Sequence, residues 1–426
     1  MNQQVNERIS LINAGKVPNG YENTKLGIMP IEWQNKKMNK VATPIKDKAG
    51  KRKFETLSIS AGIGFVNQAQ KFGKELSGAQ YVNYIVIKNG DFSYNKGNSK
   101  KYPQGCIYML EDREIAAVPN VFNSFRLKEG NPQYYKQLFV SGFLNKQLYR
   151  LINSGVRNDG LLNLYDNDFY NCYLPVPPLP EQEKIAEVLT TCEKMIELKE
   201  KLITEKQQQK KWLTQNLLTG KKRIKNFNEA WKTVKLNKIS KISIGLVTTM
   251  TTNYVDSGTL LIRNSDIMPN KVKEVGLINL SNNFAEQNKS RRLKINDIVT
   301  VHTGDVGTSA IIDKRLEGSI GFATLNTSPN TNLILPQFLC HYFNSVIFKT
   351  FALKMSTGDG RNNFNLRDFE KSKIPLPSLI EQNAIANILS VADQEIELLQ
   401  IGLEEWKYKK KALMQLLLTG KVRVNA

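Results

Sequence analysis

Leu174 to Lys221 reads LPVPPLPEQEKIAEVLTTCEKMIELKEKLITEKQQQKKWLTQNLLTGK, and Ile374 to Lys421 reads IPLPSLIEQNAIANILSVADQEIELLQIGLEEWKYKKKALMQLLLTGK. Glu181-Gln182 answers Glu381-Gln382, and Leu217 to Lys221 answers Leu417 to Lys421. Both pairs lie 200 positions apart, so no net insertion separates the matched points. A repeat of this size decides the architecture before any local reading does, because each copy is one structural unit. Prolines punctuate the start of each copy (Pro175, Pro177, Pro178, Pro180; Pro375, Pro377). Proline is tolerated at a first helical turn and not inside, so helices are predicted to begin near residues 180 and 380. Glu181 and Glu381 then sit where a carboxylate opposes the positive end of the helix dipole. Gly220 and Gly420 are the expected C-cap glycines, with Lys221 and Lys421 at the negative end.

Between those limits apolar residues recur at spacings of 3 and 4. The second copy has Ile385, Leu389, Ala392, Ile396, Leu399, Leu403, Trp406, Leu413 and Leu417, interrupted at Lys410. The first has Ile185, Leu189, Cys192, Ile196, Ile203, Leu213 and Leu217, interrupted at Lys199, Lys206 and Lys210. Alternating 3 and 4 is a coiled-coil seam. About 38 residues at about 1.5 Å each make a rod of roughly 55 Å. Two such rods are expected to pair antiparallel, which relates the blocks that precede them by an internal pseudo-twofold.

The repeat extends beyond the helices. Trp33 and Lys37-Met38-Asn39-Lys40-Val41 return, 198 positions on, as Trp231 and Lys235-Leu236-Asn237-Lys238-Ile239. Leu11 to Lys16 reads as a worn copy of the helix end at Leu217 to Lys221, so the chain starts partway through a unit that is complete later. The expected division is 1–42 as an N-terminal segment completing the repeat, 43–173 as a first variable block and 174–222 as the first repeated helix. Residues 223–373 are then a linker with the second block, and 374–426 the second helix. The fold class is α+β, with two similar α/β blocks. In the first block Tyr84-Ile85-Val86-Ile87 and Phe92-Ser93-Tyr94 read as two strands around the Lys88–Asp91 turn. Gln104 to Met109 reads as another strand, and Pro132 to Ile152 has helical spacing. The second block repeats this order with a strand at Leu260–Arg263, a turn and strand at Lys294–Val299, and a helical pattern over Pro336–Phe351.

Composition narrows the function. Of 426 residues 41% are hydrophobic, which suits a globular chain of two to three domains. No run of about 18 uncharged apolar residues exists, and Glu7 and Arg8 stand where a signal peptide needs an apolar core, so a cytoplasmic location is expected. The four cysteines show no CxxC spacing and only His302 and His341 are present, so no metal site is expected. Sixty Lys and Arg oppose 39 Asp and Glu, a net charge of +21, which predicts a polyanionic partner, most often nucleic acid.

Catalytic motifs are absent. There is no phosphate loop, and Gly62-Ile63-Gly64-Phe65 lacks the third glycine of a dinucleotide fingerprint. No Asn-Pro-Pro-aromatic tetrapeptide of an amino-methyltransferase is present, Asn131-Pro132-Gln133-Tyr134 being a superficial echo. The nuclease-like spacings Glu197-Leu198-Lys199 and Glu405-Trp406-Lys407 fall inside the long helices and read as solvated helix charge. Base readout needs Arg, Lys, Asn, Gln or hydroxyl groups on exposed loops. In the first block Lys96, Asn98, Lys100 and Lys101, with Arg157 and Asn158, are the candidates for DNA contact. In the second they are His302 and Thr303, Arg361 and Asn362, and Arg263-Asn264.

With these residues in hand, the chain resembles the specificity subunit of a type I restriction–modification system. The pattern P-[LV]-P-x-L-x-E-Q-x-x-I-A-x-x-L is met by Pro175, Val176, Pro177, Leu179, Glu181, Gln182, Ile185, Ala186 and Leu189. It is met again by Pro375, Leu376, Pro377, Leu379, Glu381, Gln382, Ile385, Ala386 and Leu389. The Leu-Leu-Thr-Gly-Lys ends and the Pro30-to-Trp33 lead-in belong to the same resemblance. Ile380 stands in place of the usual proline before Glu381, and Asn228 where the second lead-in should have its proline. The resemblance implies two target-recognition domains on double-stranded DNA, an antiparallel helical spacer and no catalysis or cofactor in this chain. It also implies two adenine methyltransferase subunits using S-adenosylmethionine and two restriction subunits using ATP and Mg. Glu181, Gln182, Ile185, Leu189 and Leu217, with Glu381, Gln382, Ile385, Leu389 and Leu417, would then form the spacer and the docking surface for subunits. A stand-alone enzyme of unusual motif and a coiled-coil scaffold binding protein are the competing classes.

Overall fold

The two copies of the repeat form α-helices of 39 residues each, Leu179–Leu217 and Leu379–Leu417. The computed structural model describes residues 3–74, 78–97, 101–152, 162–358 and 362–424. Both long helices start directly after a proline-containing strand and end at a glycine of φ 69°. The N–H groups of Gly220 and Gly420 bond to the carbonyls of Leu217 and Leu417. The short helix Gln3–Asn13 ends the same way, with Gly15 at φ 74° bonded to Ile12, as its likeness to the later helix ends predicts. The chain divides into two compact units, Met1–Lys199 with Gly402–Ala426, and Glu200–Ile401. Each unit therefore holds one block and half of each long helix.

In the first unit the strands of the shared frame are β1 (Gln34–Lys37), β2 (Ala42–Pro44), β3 (Phe92–Asn95), β4 (Cys106–Met109), β5 (Asn123–Leu127) and β6 (Tyr173–Val176). They form an antiparallel sheet of order β2-β5-β3-β4 and a separate antiparallel pair, β1 with β6. Fully buried aromatics fill the core: Phe92 stacks on Phe125 at 5.4 Å and Tyr94 on Phe169 at 4.8 Å. Ile185, Ala186 and Leu189 of one long helix and Leu417 and Leu418 beyond the seam of the other close the same core.

The second unit repeats that frame with β7 (Lys232–Lys235), β8 (Ser240–Ile244), β9 (Ile298–Val301), β10 (Ser309–Ile311), β11 (Thr324–Pro329) and β12 (Lys373–Leu376). The sheet order is β8-β11-β9-β10, and β7 pairs with β12. Phe338, Phe343, Phe348, Phe364 and Phe369 pack with Ile385, Ala386, Leu389, Leu217 and Leu218. What the frame carries differs. The first unit adds a hairpin, Leu57–Ser60 with Gly64–Asn67, and a strand pair, Ile85–Lys88 with Ile115–Val118. The second adds a four-stranded sheet in which Thr259–Arg263 runs parallel to Ile320–Phe322.

Ile85–Lys88 and Phe92–Asn95 are the two expected strands around the turn, and they join different partners, the first Ile115–Val118 and the second the central sheet. The two helical stretches are each divided. The helical stretch 132–152 is two helices, Pro132–Val140 and Asn145–Leu151, broken where Gly142 takes φ 75°. The stretch from Pro336 is likewise two, Pro336–Phe343 and Val346–Met355, because the Ser345 hydroxyl accepts the Phe348 N–H and starts a new helix.

Three of the four lysines that interrupt the seam, Lys206, Lys210 and Lys410, are ion-pair partners. In the first unit Lys410 Nζ lies 2.6 Å from Glu193, which also meets Lys136 at 3.1 Å. In the second, Lys206 reaches Glu395 at 2.6 Å and Lys210 pairs with Asp393. Numbers rise along one helix as they fall along the other, so within each unit the two helices run antiparallel.

The Glu-Gln pair does more than face a dipole. Glu181, 2% exposed, accepts from Trp33 Nε1 at 2.9 Å and from Arg423 Nε and Nη2 at 2.6 and 2.8 Å. Glu381, 1% exposed, accepts from Trp231 at 2.9 Å and from Arg223 at 2.7 and 2.8 Å. Gln182 accepts the Asn131 N–H and donates to Pro177; Gln382 accepts the Leu335 N–H and donates to Leu333 and Pro377. Arg223 and Arg423 stand 200 positions apart, three residues beyond the capping glycines, so the offset of the repeat marks them in the sequence as well.

Candidate nucleic-acid interface

Where β9 ends, the chain turns through Gly304 and Gly307, at φ 105° and 88°, values that glycine reaches without strain. The resulting loop meets the segment that precedes Phe364. Gly304 N–H bonds to the Asn362 carbonyl at 3.0 Å, Phe364 N–H to the His302 carbonyl at 2.9 Å, and Thr303 bridges to Asn363. Asn264 joins them: its Oδ1 accepts the His302 N–H at 3.1 Å and its Nδ2 donates to the Ala323 carbonyl at 3.1 Å. So Asn264, His302, Thr303 and Asn362, far apart in sequence, form one cluster in the second unit. Asp305 anchors its rim through Lys349 at 3.1 Å and the Thr308 hydroxyl at 2.6 Å. His302 Nδ1 lies 2.9 Å from the Thr303 hydroxyl, and burial holds the imidazole below its usual range. At neutral pH it is therefore a neutral donor and acceptor. Gly304, Asn362 and Asn363 are exposed. An exposed amide beside a hydroxyl and an imidazole suits hydrogen bonding to base edges.

In the first unit Lys96 and Leu162, which border the corresponding loops, are joined. The Leu162 N–H bonds to the Lys96 carbonyl at 2.9 Å. Lys96 Nζ, largely covered, lies 3.4 Å from Asp166, which also accepts from Asn123 at 2.9 Å. Lys101 Nζ stands 5.8 Å from the ring centre of Tyr102. Asn98, Lys100, Arg157, Asn158 and Arg361 lie outside the described residues.

Arg263 does not fit a free DNA contact. Its guanidinium is held by Asp266 through two bonds of 2.8 Å and by the Gly276 carbonyl at 3.2 Å, and these hydrogen bonds raise its affinity for the proton further. Asp266 is 1% exposed, so this arginine neutralises a buried carboxylate. The helix residues expected to serve as a docking surface are likewise committed inside their own units. Glu181, Gln182, Ile185, Leu189, Leu217, Glu381, Gln382, Ile385, Leu389 and Leu417 are all buried. A helix can bury its seam or offer it to another chain, and here it is buried.

Among the described residues no group of three or more His, Cys, Asp or Glu is placed to hold a metal ion, and no helix is long and apolar enough to cross a membrane. The cysteines are unpaired; Cys172, Cys192 and Cys340 are buried.

The chain is 24% identical over 360 residues to the EcoBI type I restriction enzyme specificity subunit of Escherichia coli, covering 76% of this chain and 74% of that one. It is 26% identical over 440 residues to the putative MjaX specificity subunit of Methanocaldococcus jannaschii, covering 95% and 97%. Its fold is similar to that of the S subunit of the type I restriction–modification system from M. genitalium, with a TM-score of 0.58 at 13% identity over 96% of this chain and 98% of that one. A chain from a structural study of complex assembly and conformational transition of the type I R-M system gives a TM-score of 0.57 at 18% identity, over 92% and 99%. The family model described as the type I restriction modification DNA specificity domain matches twice, over residues 12–207 and 228–405. With a variable block and a long helix in each matched half, the chain belongs to the type I restriction–modification DNA specificity domain family.

Proposed function

We propose that this chain reads a bipartite, asymmetric DNA target, one half-site with each unit, and directs adenine methyltransferase and restriction subunits to it. The observation that carries this reading is one frame bearing two dissimilar loop clusters. The Trp-Glu-Arg clamps, the sheet order and the helix caps recur, while the loops at the strand ends do not. Equal frames hold readers in equal positions, and unequal loops read unequal half-sites. The long helices act as spacer. Chemistry belongs to the partner chains, with S-adenosylmethionine on two methyltransferase subunits and ATP and Mg on two restriction subunits. Double-stranded DNA is the polyanion that a net charge of +21 calls for.

Single-molecule methylation sequencing of DNA from cells expressing this chain with its methyltransferase partner tests the reading. A split motif with two unlike halves is the expected result, and a palindromic or continuous motif would contradict it. Lengthening each long helix by about four residues adds roughly 6 Å and should widen the unread gap by about two base pairs. An unchanged gap would remove the helices from the role of spacer.

A further inference from the structure

The second unit carries a basic cleft of about 700 Å³ at the end of the sheet remote from the loop cluster. Lys238 and Lys241 border it from the start of β8, and Arg291, Arg292 and Lys294 from the segment before β9. Lys238, Lys241, Arg291 and Lys294 are exposed. Arg291 is oriented by a 2.6 Å bond from its Nη1 to the Ile244 carbonyl, which leaves its other donors free to point at a ligand. The one acid in the lining is Asp297, 8% exposed, which accepts the Lys294 N–H at 2.9 Å. Arg292 is engaged by Glu286 at 3.6 Å, which leaves four cations against one sheltered carboxylate and a local excess of positive charge.

The first unit shows how the frame looks when this cleft is filled. Asp91 precedes β3 as Asp297 precedes β9, and each accepts the N–H of the lysine three residues before it, at 2.7 Å and 2.9 Å. Phe92 faces Phe125 in one sheet and Ile298 faces Thr327 in the other, so Arg126 occupies the place of Ser328. Arg126 binds Asp91 through two bonds of 2.6 and 2.7 Å. Ser328 cannot, and it lines the open cleft instead. The ion pair that covers Asp91 in the first unit thus has no counterpart beside Asp297, where Ser328 stands in the arginine's position.

We infer that this cleft binds the sugar–phosphate backbone of duplex DNA and anchors the second unit without reading sequence. The inference rests on the DNA-recognition reading above. The cleft is a different surface from the loop cluster, because the two lie at opposite ends of β9, roughly 17 Å apart along the strand from Asp297 to His302. Exposed lysines and an oriented arginine suit phosphate oxygens, and such contacts position a protein on DNA without carrying sequence information.

The test measures binding of the full chain to a random-sequence duplex of about 40 base pairs by fluorescence anisotropy across a sodium chloride series. Replacing Lys238, Lys241 and Lys294 together by alanine should reduce the slope of log K against log salt by about two to three, since each phosphate contact contributes about 0.9. Ser328→Arg, which restores the arginine of the first unit, should weaken binding several-fold even though it raises the net charge. Attraction by bulk charge predicts the opposite sign. Thermal melting of each variant checks the fold, and if the triple variant unfolds, Lys241→Ala and Ser328→Arg decide alone. An unchanged slope with wild-type binding intact overturns the cleft and leaves the recognition reading standing. Tighter binding by Ser328→Arg also overturns it. A wild-type chain with no affinity for duplex DNA would sink both.

Discussion

The two units share a frame and differ in what fills it. In the first, Asp91 is closed off by Arg126; in the second, Asp297 faces an open basic cleft because Ser328 stands in the arginine's place. The clamps at the helix starts show the reverse. Trp33, Glu181 and Arg423 in one unit match Trp231, Glu381 and Arg223 in the other to within about a tenth of an ångström in each bond. The groups that clamp the helix starts are thus held constant, while the arginine beside the carboxylate that opens the central strand is not. Glu181 and Glu381 are 2% and 1% exposed and keep their cations; Asp297, at 8%, keeps the Lys294 N–H instead.

The largest effect should come from breaking the frame. Arg223→Ala and Arg423→Ala each strand a buried glutamate and should cost about 3–5 kcal/mol in urea unfolding. Equal losses are expected in the two units, and a loss confined to one would show that the clamps are not equivalent. Arg263→Ala should cost about 2–3 kcal/mol, because Asp266 loses charge-assisted bonds. Its signature is lost stability with sequence preference retained, and a changed methylation motif at full stability would return Arg263 to the list of DNA contacts.

A smaller, pH-dependent effect separates the units. In the second, burial holds the His341 imidazole down to about 4 against the opposing charge of Asp393, with Lys210 adding to the lowering. Its Nε2 lies 3.0 Å from the Ser390 hydroxyl, and Asn270 Nδ2 lies 3.4 Å from Nδ1. The unfolded chain takes up the proton near pH 6.5, before the folded one does. Stability from this residue is therefore complete above about pH 6.5 and is lost as pH falls toward 4. A His341→Gln variant should lack that slope in unfolding measured between those values.

The first unit has a carboxylate in the corresponding role. Burial would raise Glu193, but the hydrogen bond from Lys410 and the charges of Lys410 and Lys136 outweigh it and hold the carboxyl below its usual range of about 4.5. Its contribution is present above that value and fades at more acid pH. Lys410→Met should cost about 1 kcal/mol at pH 7 and little at pH 3. Equal cost at both values would show that packing, not charge, holds the pair.

Much of this was legible in the residues because it depended on period and punctuation. Helix starts near Pro178 and Pro377, ends at Gly220 and Gly420 and the buried seam all follow from local rules. The partner of Ile85–Lys88, the strand Ile115–Val118, was not legible, because strand partners are chosen over distance and a turn alone does not choose them. Arg263 looked like a reader because a cation after a strand is exposed more often than not; Asp266, three residues on, takes it. The partners of the interrupting Lys410, Lys210 and Lys206 are Glu193, Asp393 and Glu395, which only the fold brings opposite them.

By itself the sequence determined the duplication, the two long helices with their caps, the excess of positive charge and the family. These are properties of spacing and composition, written locally or at a fixed offset. Only the tertiary structure decided which charges are spent within the fold and which remain for a ligand. Arg223, Arg423, Arg126, Arg263 and Arg292 are bound to carboxylates, while Lys238, Lys241, Arg291 and Lys294 line an open cleft. The physical reason is that a cation's availability depends on what lies within about 3 Å of it, and for most of these residues that neighbour is distant in sequence.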